Sequence, residues 1–136
     1  MNAAEALSGE SLRSILVEID GSQTSEARLE RAVELARRCN ARLTLLCVVP
    51  QVPMSAYAVP ELLLRLRDDA ELHAREILRD AREQVPLDLP VTTVLKTGCR
   101  RTAISGETRR GNHDLVLAAR RYPAPRIRRS AVPAYA

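Results

Sequence analysis

Short runs of branched apolar residues alternate with helix-patterned stretches along the first 119 residues, and that alternation limits the chain to few folds. Ile15-Leu16-Val17-Glu18-Ile19 is mostly apolar and β-branched, the signature of a strand buried on both faces. Asp20-Gly21-Ser22 breaks it, and Ser22 or Thr24 can cap a following helix by accepting an orphan backbone N–H. Leu29, Ala32, Val33 and Ala36 share one helical stripe, and Asn40 is a C-terminal stop. Leu43 to Val49 is the next strand, ended by Pro50. Pro60 suits the first turn of a helix predicted to reach about Val85, with Leu63, Leu66, Ala70, Ala74, Ile77 and Ala81 on its apolar side. Val91 to Lys96 is a third strand and Thr97-Gly98 a turn. Thr102 to Arg110 is a short helix stopped by Gly111, and Asp114 to Ala119 a fourth strand. The order β-α-β-α-β-α-β favours a parallel sheet with helices on its faces and right-handed crossovers.

At 136 residues there is room for one layered core. Trp and Phe are absent, so that core is built from Leu, Ile, Val and Ala. No run is apolar enough to cross a bilayer, and Met1 to Gly9 has neither a basic start nor an apolar stretch, so a cytoplasmic protein without a membrane partner is expected. Cys39, Cys47 and Cys99 have neither metal spacing nor a CxxC pair. Cys47 reads as a small buried hydrophobe, while Cys39 and Cys99 lie near element ends. No metal site is expected.

Charge is unevenly placed. Residues 1–99 carry 12 basic and 15 acidic groups, residues 100–136 carry 9 and 2, and the whole chain is +4. After Ala119, Pro123, Pro125 and Pro133 with Arg126, Arg128 and Arg129 read as an extended or disordered basic tail. Only Tyr122 and Tyr135 offer stacking surfaces there, which argues against nucleic acid as the partner. An anion or nucleic-acid contact through this tail is the third functional reading.

The segment Ile15-Leu16-Val17-Glu18-Ile19-Asp20-Gly21-Ser22, the helix with Ala32-Val33-Glu34-Leu35-Ala36, and Ala41-Arg42-Leu43-Thr44-Leu45-Leu46-Cys47-Val48-Val49 together resemble the universal stress protein family. Thr97-Gly98 and His113-Asp114-Leu115-Val116-Leu117 add weaker support, and the resemblance covers residues 13–119. It implies a Rossmann-like open parallel α/β sheet with helices on both faces. The expected strand order is 3-2-1-4, in a divergent or C-terminally shortened member whose usual fifth strand is missing. The domain is then 13–119 and the tail 120–136. Strand 4 becomes an edge that needs a partner.

What the resemblance implies about function divides in two. Members are small cytosolic stress-response or regulatory domains, many of them dimeric, and one subset binds ATP. Carried over, Asp20 matches the ribose-side Asp and Val48 the base-contacting Val. The glycine-rich phosphate loop does not carry over: its first Gly aligns with Ala119, its second with Tyr122, and no glycine follows Gly111. The first reading is therefore a non-enzymatic regulatory domain acting through self-association and protein partners. The second is a nucleotide (ATP or AMP) sensor using Asp20, Val48 and Ala119, with Arg120, Arg121 and Arg126 at the phosphates. Asp20 also suits a turn that satisfies local N–H groups, and that role is preferred. Val48 reads first as core, His73 as a boundary packing residue, and His113 as a loop histidine with no nucleophile placed beside it.

Overall fold

The computed structural model describes residues 12–51, 58–119 and 132–135. Eight elements follow in order: β1 (Ser14–Glu18), α1 (Gln23–Cys39), β2 (Arg42–Val49), α2 (Pro60–Gln84), β3 (Val91–Thr97), α3 (Arg100–Arg110), β4 (Leu115–Ala118) and β5 (Val132–Tyr135). The caps follow the sequence. Ser22 Oγ accepts the Ser25 N–H at the head of α1, Asn40 closes that helix in the left-handed region at φ 55°, and Pro60 opens α2.

All strand pairs are parallel, in the order β3-β2-β1-β4-β5. The expected 3-2-1-4 core of the sheet is present. The missing fifth strand is corrected: Val132–Tyr135 pairs with β4, Leu115 opposite Val132 through Ala118 opposite Tyr135. Pro133 and the shortness of the run hide this strand in the sequence. A sheet edge tolerates both, because its outer row of backbone groups has no ladder to complete. β4 is thus an interior strand, and the end of the supposed tail belongs to the sheet. Residues 120–131, with Arg120, Arg121 and Arg126, lie outside the described residues.

The pleat sends alternate side chains to opposite faces. Ile15, Val17, Leu43, Leu45, Leu115 and Leu117 join Leu29, Ala32 and Leu78 of α1 and α2 in the larger core. Leu16, Leu46, Val116 and Ala118 meet Ile104 of α3 in a smaller one, with Val48 and Val94 packed against it. The apolar stripe of α2 is buried only in its second half, at Ala74, Leu78 and Ala81. In the first half Leu62, Leu64 and Leu66 are exposed, as is Leu72 further on. No helix among the described residues is long and apolar enough to cross a membrane.

Candidate functional site

In an open parallel sheet, ligands enter outside the carboxyl ends of the strands, where neighbouring strands send their connections to opposite faces. Here that point lies between β1 and β4. β1 leads into α1 on one face; β2 lies on its other side, and α3, which precedes β4, covers the opposite face.

The turn after β1 is tightly built. Gly21 sits at φ +83°, a region that L side chains avoid. The Asp20 Oδ1 atom accepts from Ser22 N at 2.9 Å and Ser22 Oγ at 2.6 Å, and Asp20 N donates to Ser25 Oγ at 3.0 Å. Arg28, 2 % exposed, lies beneath. Its Nε donates to the Glu18 carbonyl at 3.2 Å, and its guanidinium is 3.7 Å from Asp20 Oδ2, too far for a hydrogen bond but close enough for charge attraction. Partial burial raises the Asp20 pKa. The Ser22 hydrogen bonds and the charges of Arg28 and Arg100 outweigh it and hold the carboxyl below its ordinary range. The preferred turn role of Asp20 is therefore present in full, while about two-fifths of the side chain remains open.

The residue that sequence reading passed over is Glu18. It points to the α3 face, as Leu16 does, and is 4 % exposed. Its carboxylate accepts from Arg100 Nε at 2.5 Å and Nη2 at 2.7 Å, a bidentate pair, and from the Ala119 N–H at 3.1 Å. Arg100 is the first residue of α3, and Ala119 the first residue past β4. One signal pointed to Glu18: a single acid inside an apolar strand needs a partner, because an unpaired buried charge is too costly to keep.

Of the six residues in the nucleotide reading, three lie among the described residues. Asp20 ends the β1 turn. Ala119 meets the Glu18 carboxylate. Val48 is half-buried on the α3 face with Val94, at the end of β2. Arg120, Arg121 and Arg126 are outside them. A separate cavity of about 240 Å³ opens on the α1–α2 face beside Asp20, Glu26, His73, Asp80 and Gln84. It is smaller than the usual range for a bound small molecule, and three carboxylates line it, so a phosphate would be repelled. His73 is exposed there rather than at the core boundary.

At the opposite, amino end of the sheet the structure supplies the hydroxyl that His113 lacked in the sequence. Ser14 Oγ lies 2.6 Å from His113 Nδ1 and accepts from Arg42 Nε at 3.2 Å. Both residues are sealed, at 2 % and 3 % exposure, so no substrate reaches the pair. Burial, and then the Arg42 charge, push the His113 pKa down to about 4 against a weaker opposing pull from Asp114. Asp114 instead staples β4 to β1, its Oδ2 accepting from Arg13 N and Ser14 N. No group of three or more metal-ligating side chains occurs among the described residues.

The sequence profile of the universal stress protein family matches residues 11–129. The chain belongs to the universal stress protein family. Solved structures agree with the assignment. A family member from Burkholderia pseudomallei is 27% identical, with TM-score 0.67 over 80% of this chain and 82% of that one. UspA from Lactobacillus plantarum is 22% identical, with TM-score 0.73 over 92% and 99%. A universal stress protein solved in complex with cAMP is 20% identical, with TM-score 0.51 over 81% and 74%. No functionally curated protein gives a significant sequence match.

Proposed function

We propose that this universal stress protein is a cytoplasmic, non-catalytic regulatory domain that works by self-association and does not clamp a nucleoside triphosphate. The observation carrying this reading is the position of β5 at the margin of the sheet, paired with β4 on one side only. An edge strand presents a row of unpaired N–H and C=O groups, and a second copy of the same strand is a self-complementary partner for it. Sedimentation equilibrium tests it. The wild type should be dimeric at micromolar concentration, and Ala134→Lys, a charge on the edge, should yield folded monomer. A wild type that stays monomeric at high concentration sinks the reading.

A second reading, a nucleotide sensor, draws on the relative solved with cAMP and on the placement of Asp20 and Ala119 on either side of the crevice. Thermal midpoints with and without millimolar Mg-ATP or cAMP decide it. Ligand at ~100 times its dissociation constant adds roughly 2.7 kcal/mol, a shift of several degrees. A shift abolished by Asp20→Ala supports the sensor, and no shift leaves the association reading.

A further inference from the structure

The groups that converge on Glu18 are those that ordinarily receive a ligand's anion. Arg100 offers two parallel N–H donors, the fork that matches carboxylate and phosphate alike. Ala119 offers the first backbone N–H past β4, at the place where open parallel sheets take their ligands. Donors from two connections, 82 and 101 residues away from Glu18 in the chain, meet on one pair of oxygens. The seat is therefore built, and a side chain of the protein sits in it.

We propose that the Glu18 carboxylate is an internal anion that occupies a phosphate seat made by Arg100 and the Ala119 N–H, and that it is the residue by which this chain refuses phosphate-bearing ligands. The proposal deepens the reading that no triphosphate is clamped, by naming what blocks it. Two physical effects act together. The carboxylate already satisfies the donors, so an incoming phosphate gains no new hydrogen bond without displacing it. The two anions also repel across a site with little water to screen them. The Arg100 side chain is one-third exposed, so solvent reaches the arginine that holds Glu18. Truncating Glu18 to Ala vacates a space of carboxylate size and leaves both sets of donors in place. An inorganic phosphate then replaces the charge that was removed.

The experiment measures thermal midpoints in millimolar inorganic phosphate against sodium chloride of equal ionic strength, for the full chain. The wild type should show no phosphate-specific shift. Glu18→Ala should gain one of several degrees, and Glu18→Ala with Arg100→Ala should lose it again. Glu18→Ser vacates nearly the same space with a small polar residue, and it guards against a folding failure. It should show the same gain. A folded Glu18→Ala or Glu18→Ser that responds to phosphate no more than the wild type overturns the proposal. So does a gain that chloride reproduces, or one that survives loss of Arg100. The association reading fails on a different readout, the sedimentation of the wild type, so the two failures are told apart.

Discussion

Glu18 and Arg100 lie 82 residues apart in the chain and meet in a bidentate pair, the acid side chain 4 % exposed and the arginine side chain 33 %. The pair ties the end of β1 to the start of α3. Its two halves are not equivalent. Arg100→Ala leaves a buried carboxylate with only the Ala119 N–H, and the expected loss is about 3 kcal/mol. Glu18→Ala leaves a guanidinium that water already reaches, and the expected loss is nearer 1 kcal/mol. The double variant should be more stable than Arg100→Ala alone. Urea denaturation of all four proteins gives the cycle, and equal losses from the two single changes contradict the asymmetry.

Gly111 and His113 make a second dependent pair. A Cβ on Gly111 would lie 2.2 Å from His113 Nε2 and under 3 Å from two ring carbons. The ring cannot swing away, because Ser14 holds Nδ1 at 2.6 Å and the surroundings are closed. Gly111→Ala should cost about 2–3 kcal/mol by overpacking. Gly106→Ala inside α3, the helix that Gly111 caps, meets nothing within 4 Å and should be neutral or slightly stabilising. The comparison of the two urea midpoints separates close approach from any general effect of removing glycine.

Most of the sheet was legible because periodicity and punctuation agreed. Ile15 to Ile19 and Leu43 to Val49 are apolar on both faces and bounded by Gly, Asn or Pro, and the structure pairs them in register from Ser14–Arg42 to Glu18–Leu46. β5 was not legible because four residues containing a proline carry no period. Its existence depends on the edge of β4, which is a tertiary fact. The stripe along α2 was legible as one apolar side, but its burial in the second half alone was not, because periodicity says which side of a helix is apolar and not how far the sheet extends beneath it. The site was the least legible part. Asp20 drew attention through its position, whereas Glu18 acts through Arg100 and Ala119, whose proximity only the fold creates. Ser14 was missed beside His113 for the same reason, the two lying 99 positions apart in the chain.

The capping of α1 is a local test of the turn that carries Asp20. Ser22 Oγ accepts from Ser25 N at 3.1 Å while donating to Asp20 Oδ1 at 2.6 Å, so one hydroxyl serves both the helix end and the carboxylate. Ser22→Ala should cost about 1–2 kcal/mol, toward the upper part of the range for a lost cap. Ser22→Gly should cost nearly as much, because the doubly bonded hydroxyl is lost with either residue. Urea midpoints for the two variants check this. A Ser22→Gly variant within a few tenths of a kcal/mol of wild type shows that the Asp20 contact contributes nothing.

The three thiols should separate by reactivity. Burial pushes the Cys47 pKa up to about 11, with the Asp20 and Glu18 charges adding to it. Cys99 is exposed at the head of α3, and hydrogen bonds from Thr102 N and Oγ and then Arg101 N, with the Arg101 charge, lower its pKa. Cys39 is half-buried. Iodoacetamide at neutral pH should therefore modify Cys99 first, and Cys47 only on unfolding, as followed by peptide mass spectrometry. Thr102→Val should slow the Cys99 reaction by removing the side-chain donor. Cys39 reacting ahead of Cys99 would place the activating contacts elsewhere.

Stability should depend on pH through His113. The imidazole stays neutral in the folded protein down to about pH 4, whereas in the unfolded chain it titrates near its ordinary 6.5. Between those values the unfolded state binds the extra proton, so stability falls as the pH drops from 6.5 toward 4 and is level in this respect above 6.5. The full effect of this one group is at most about 3 kcal/mol. The groups facing the ring pull in opposite directions: Arg42 disfavours the imidazolium, Asp114 favours it, and Ser14 donates to Nδ1 only while the ring is neutral there. His113→Gln keeps a polar group beside Ser14 and cannot titrate, so its stability should lose this slope between pH 4 and 6.5 although the variant is weaker at pH 7. Urea midpoints across that range provide the check. An unchanged slope in His113→Gln assigns the acid sensitivity to the carboxylates and removes His113 from the account.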